Sequence, residues 1–183
     1  MKALKTALTL VIFLFTHLIF AQLIGEPFPE METETVEDEI ITLPNDTMDK
    51  YTLVGLAYSK KSEDDLNTWF SPVYNKFIRK EEGLFAGFSY DVNVYFVPMF
   101  TGAKAAGQGT AKRKAAKDMD ERLLPHILFY KGKLDPYKDA LQLEEKDTPY
   151  FFVIDKQGNI ILTTSGAYSD DKMDEIESVL EDE

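Results

Sequence analysis

The chain has no cysteine among its 183 residues. No disulfide can cross-link it, and no thiolate can serve as nucleophile, metal ligand or redox group. An N-terminus lipid-modified at cysteine is excluded for the same reason. Histidine is nearly absent. His17 lies in an N-terminal apolar run, so His126 stands alone in the rest of the chain. One histidine without cysteine cannot build an ordinary zinc or iron site. No Gly-x-Ser-x-Gly elbow, Ser–His–Asp set, Walker pattern or calcium-loop spacing can be assembled. No cofactor is therefore expected. Basic residues are also scarce, with 20 Lys and Arg against 32 Asp and Glu, a net charge of −12. A field of that sign repels nucleic acid and anionic lipid and favours basic partners. There is no internal repeat and no low-complexity tract.

The chain opens with MKALKTALTLVIFLFTHLIFAQ. Two lysines, an apolar run and a small residue at Ala21 have the pattern of a secretory signal peptide. Cleavage after Ala21 would leave 162 residues and a net charge of −14, since Lys2 and Lys5 go with the segment. The other reading is a retained membrane anchor. Thr16 and His17 interrupt the run, which is short for a span. Export to the periplasm or cell exterior follows, with membrane association only if the segment stays attached. Residues 22–183 have the size of one domain able to bury its own core. Aromatic residues, 13% of the chain, supply much of that core in the absence of disulfides.

Residues 22–30 read as an irregular entry segment. Two short alternating runs around Glu37-Asp38-Glu39 predict a hairpin. YTLVGLAY, residues 51–58, predicts a buried strand. Leu66, Trp69, Val73 and Phe77 then recur at helical spacing, with Ser62 as N-cap, acids behind it, and Pro72 as a kink. Residues 89–100 predict a second strand, and residues 101–124 a helix ended by Pro125. HILFYKG is a short strand and residues 136–143 a short helix. PYFFVID, a Lys-Gln-Gly-Asn turn and NIILTT form a second hairpin. Ser169 caps a last helix whose inner face is Met173, Ile176 and Leu180. This order predicts an α/β protein, a mixed sheet flanked by helices with an N-terminal hairpin extension.

Four stretches resemble the thioredoxin-like superfamily, in the peroxiredoxin and exported TlpA-type form. They are IGEPFPEM, YTLVGLAY, the helix kinked at Pro72, and DTPYFFVIDKQGNIILTTSG. The chain is also faintly similar to thioredoxin-like assembly factors of ATP synthase, through the Trp69-x-x-Pro72 spacing. The resemblance implies a thioredoxin-like fold, a cis peptide at Pro149, and a surface that grips extended polypeptide. It also implies a Cys-x-x-Cys where YTLVGLAY meets the next helix. Counting from Pro72 puts those positions at Asp64 and Asn67; counting from the strand puts them at Lys61 and Asp64. Neither register holds a thiol, so thiol–disulfide exchange and peroxide reduction by the family mechanism are excluded.

The function expected is then a non-redox adaptor or assembly chaperone for a protein or extended peptide. Its candidate contacts are Lys60, Lys61, Trp69, Thr148, Pro149 and Tyr150. Trp69 can equally be core, and Tyr150 can simply fill a groove. A non-redox enzyme using carboxylates and His126 is one alternative, although His126 after Pro125 also reads as structural. Glu63-Asp64-Asp65 reads as favourable charge at a helix start. The other alternative is a docking module for anions or acidic partners. Between residues 104 and 117 stand Lys104, Lys112, Arg113, Lys114 and Lys117 without an acid, and Gly107-x-Gly109 leads into the predicted helix. The same segment also reads as a solvated helix face.

Overall fold

The structure is a computed structural model and describes residues 23–79 and 90–181. The segment expected to be a signal peptide, the start of the second strand expected at Ser89 and the last two residues lie outside the described residues. The chain begins with a hairpin of β1 (Met31–Glu34) and β2 (Ile40–Leu43), paired antiparallel. Then come β3 (Tyr51–Ala57), α1 (Lys60–Asn67) and α2 (Phe70–Val73), the last running into a single π-turn at Tyr74–Ile78. β4 (Val92–Thr101), α3 (Gln108–Asp118), β5 (Tyr130–Gly132) and α4 (Asp135–Ala140) follow. β6 (Tyr150–Ile154), β7 (Ile160–Ser165) and α5 (Asp170–Glu181) close the chain. The main sheet has the order β5-β4-β3-β6-β7. β3 pairs parallel with β4 and antiparallel with β6. The mixed sheet, its flanking helices and the N-terminal hairpin expected from the sequence are all present.

β3 is apolar from Leu53 to Ala57 because both of its faces are covered there. Val54 and Leu56 face one core, with Met31, Leu43, Leu128, Phe152 and Ile154. Leu53 and Ala57 face the other, with Trp69, Val73, Phe151, Val153 and Ile176. The period-two alternation of the strand sorts the two sets. Gly55 falls on the same face as Leu53 and Ala57, where a Cβ would lie 2.6 Å from Phe151 Cε1 and 3.0 Å from Leu66 Cδ1.

The β6–β7 turn is held by Asp155. Its carboxylate accepts from the Gln157 and Asn159 backbone N–H groups, and Gly158 takes φ +88°. Lys172 N–H reaches Ser169 Oγ at 3.5 Å, and Met173 and Ile176 are buried beneath α5.

Three expectations change. The helix predicted over residues 101–124 is shorter: a 3-10 stretch at Gly102–Gly107 precedes α3, and Met119 is extended. Gly102 at φ +56° disfavours an earlier start, and Asp120 turns the chain by accepting the Arg122 backbone N–H. The long helix expected through Pro72 is instead two helices, separated at Thr68 and Trp69, because Pro72 has no N–H to offer the Thr68 carbonyl. Finally, the Thr148–Pro149 bond is trans, and the cis peptide among the described residues is Leu43–Pro44. Pro149 leads straight into β6, where its carbonyl accepts the Gly166 N–H at 2.9 Å, a position open to an ordinary trans proline.

Candidate functional site

The β3–α1 junction is where the resemblance places a Cys-x-x-Cys. Both registers counted for it, Lys61 with Asp64 and Asp64 with Asn67, fall on α1, and the residues that form the junction itself are Ser59-Lys60-Lys61-Ser62. Ser59, not Ser62, is the N-cap, extended at φ −134°, ψ 164°. Its Oγ accepts the Ser62 N–H at 3.0 Å. Ser62 Oγ in turn accepts the Ser59 N–H at 2.9 Å and donates to the Ser59 carbonyl at 3.0 Å. The Tyr58 N–H reaches the same oxygen at 3.2 Å. Ser62 stands where a capping box usually has Glu or Gln. Both serines are buried, so each hydroxyl is satisfied by backbone and neither touches a group able to take its proton. The i, i+3 pair of serines immediately after a buried strand was the available signal. The three acids after Ser62 favour a cap at Ser62 in the sequence, about one turn beyond the observed one.

Around this junction the six candidate contacts divide. Lys60 and Lys61 are exposed on the first turn of α1, where the helix dipole disfavours cations. Each is tied one turn on, Lys60 Nζ to Asp64 at 2.5 Å and Lys61 Nζ to Asp65 at 2.6 Å. The acids behind Ser62 are thus partly consumed by these pairs. Thr148 is half-buried. The other three are inside. Trp69 is fully buried against Phe151, ring centroids 4.2 Å apart, and its indole N–H donates to the Gly166 carbonyl at 3.0 Å. Pro149 is buried. Tyr150 is 3% exposed and its hydroxyl accepts the Glu145 N–H at 2.6 Å. None of these three side chains is presented to a ligand in this arrangement. The neighbouring Tyr58 hydroxyl donates to the Leu143 carbonyl at 2.9 Å, and burial pushes its pKa up to about 12. It remains a neutral phenol at any ordinary pH.

The basic segment is also divided by the fold. Lys104 is exposed and donates to the Tyr58 carbonyl at 3.3 Å, beside the junction. Lys112 is 7% exposed and binds Glu34 at 2.5 Å and Asp38 at 2.6 Å, clamping the β1–β2 hairpin onto α3. It is therefore not available to an external anion. Burial opposes its charge, but the two carboxylate bonds outweigh that and raise its pKa. Arg113, Lys114 and Lys117 remain exposed. His126 is half-buried, and its Nδ1 lies 3.0 Å from the Val94 carbonyl. Burial lowers its pKa, so the ring is neutral with Nδ1 as donor. Among the described residues no group of three or more His, Asp or Glu is arranged to hold a metal ion.

No protein-family model and no curated relative matches the sequence. Solved structures match the fold. The thioredoxin domain of a thiol-disulfide oxidoreductase from Bacteroides vulgatus superposes with a TM-score of 0.54 at 18% identity, over 86% of this chain and 97% of that one. A thio-disulfide isomerase from Thermus thermophilus gives 0.53 at 12% identity, over 86% and 96%. The reduced 2-Cys peroxiredoxin of Plasmodium vivax gives 0.52 at 14% identity, over 86% and 96%. The fold is thioredoxin-like, in a chain without cysteine.

Proposed function

We propose that the chain is an exported, non-redox adaptor, a thioredoxin-like scaffold that holds a protein partner by surface contact and not through a disulfide. The observation that carries this reading is the β3–α1 junction. Two buried serines close it by reciprocal hydrogen bonds, in a protein without a thiol. What is left for a partner at this end of the sheet is the rim: Lys60, Lys61 and Lys104, with Thr148 before β6. That rim offers donors to an extended polypeptide segment. Export rests on the N-terminal pattern, with processing after Ala21 leaving residues 22–183 as a single domain.

The two alternatives are less well supported. An enzyme built on His126 lacks a carboxylate bonded to the ring among the described residues. A docking module using the whole of residues 104–117 loses Lys112 to Glu34 and Asp38.

The test is a photo-crosslinking residue at position 61, and separately at position 148, in intact cells. The expected result is one dominant adduct with a different polypeptide, lost when Lys60 and Lys61 are changed to Glu in a folded protein. No adduct above background at either position, or an adduct indifferent to those changes, overturns the reading.

A further inference from the structure

A groove of about 490 Å³ lies between the β1–β2 turn and the segment that follows α3. Its apolar lining is Val36, Ile41, Ala116, Leu124 and Pro125, and its acidic lining is Glu37, Glu39 and Glu121. That volume falls in the range of ligand-holding clefts. The turn satisfies itself without these acids. Thr35 Oγ1 accepts the Glu37 and Glu39 N–H groups at 3.2 and 3.1 Å, and Asp38 takes φ +65°. None of the three groove carboxylates is paired with a described residue.

Beside the groove stands the opposite charge. Ala111 and Ala115 of α3 pack on the core, and Lys112 faces the hairpin. At 3.6 residues per turn, Arg113 and Lys117 then follow Ala116 around the helix, on its outward side. Among the described residues Arg113 is bonded to Thr110 Oγ1 alone, at 3.1 Å, and Lys117 has no partner. α3 ends at Asp118 and Met119 is extended, so Glu121 is not one helical turn on from Lys117. One face of the molecule thus carries an unpaired acidic cleft and an adjoining basic ridge.

We propose that this face pairs with a second copy of the chain about a two-fold axis. The Arg113–Lys117 ridge of each copy enters the acidic groove of the other. A two-fold interface needs one self-complementary patch, which this face is. The long stems of Arg113 and Lys117 lie on the apolar floor while their charged ends meet Glu37, Glu39 and Glu121. The surface is separate from Lys60, Lys61 and Thr148, so it stands or falls independently of the adaptor reading.

The test is sedimentation of the full chain at low and high salt, with two charge-reversal variants. The groove variant is Glu37→Lys with Glu121→Lys; the ridge variant is Arg113→Glu with Lys117→Glu. All four positions are exposed, and circular dichroism checks that each variant folds. The wild type is expected to dimerise at low salt and to associate at least about tenfold more weakly near 1 M salt, where the screening length is about 3 Å. Each variant alone is expected to be monomeric. An equimolar mixture restores the dimer, because every groove then meets a ridge of opposite sign. A wild type that stays monomeric at low salt overturns the proposal. So does a dimer that persists in either variant, or a mixture that stays monomeric.

Discussion

The β3–α1 junction and the groove under the hairpin are built from the same kinds of residue, short polar side chains and carboxylates at element ends. They differ in what is left over. At the junction every hydroxyl is paired, Lys60 and Lys61 have local partners, and the aromatic residues are inside. At the groove the turn is self-satisfied and three carboxylates have no partner among the described residues. Polar groups paired within the fold hold it in place, whereas exposed charges without a protein partner beside an apolar floor can still recognise something.

The sharpest way to break this contrast is at Trp69. If it is core, Trp69→Ala costs about 3–5 kcal/mol of stability, measured by urea unfolding. A loss below about 1 kcal/mol would mean that the side chain faces a surface after all. Gly55→Ala probes the same packing from the strand. Its new Cβ meets Phe151 at 2.6 Å, and the expected cost is about 1–3 kcal/mol. Next comes the serine pair. Ser59→Ala removes the cap and is expected to cost about 1 kcal/mol. Combining it with Ser62→Ala should cost less than the sum of the single changes, since each serine supports the other. Strict additivity in that cycle would show that the reciprocal bonds are not coupled.

His126 gives a pH test. Its folded pKa lies below the reference of 6.5. Above pH 6.5 the ring is neutral in both states and has no pH-dependent effect. As pH falls through 6.5, the unfolded chain takes a proton that the folded ring resists, and stability declines until the folded pKa is reached. His126→Gln should flatten that part of the pH–stability curve; an unchanged curve would remove burial as the cause. The smallest effect belongs to the groove. Glu37→Lys and Glu121→Lys, both at exposed positions, are each expected to shift stability by no more than about 0.5 kcal/mol, so a loss of association in the groove variant is not due to unfolding.

Part of the candidate site was legible in the chain and part was not. The sequence places the cap at Ser62, on the strength of the acids behind it, whereas the cap is Ser59, three residues earlier. Lys60 and Lys61, named in the sequence as candidate contacts, are exposed. Trp69 and Tyr150 carried two readings, because an aromatic residue with a polar tip suits a groove and a core equally.

The sequence by itself determined the absence of thiol chemistry, the strands made by YTLVGLAY and PYFFVID, the Asp155 turn and the face of the last helix. These follow from atoms present or missing, and from hydrogen bonds and periodicities spanning a few residues. Tertiary structure alone decided that Lys112 is spent on Glu34 and Asp38, 78 and 74 positions away, and that Trp69 reaches the Gly166 carbonyl 97 positions on. It also decided that residues 35–41 and 116–125 meet across a groove. Burial and pairing depend on which distant segment the sheet brings alongside, and no local pattern encodes that neighbour.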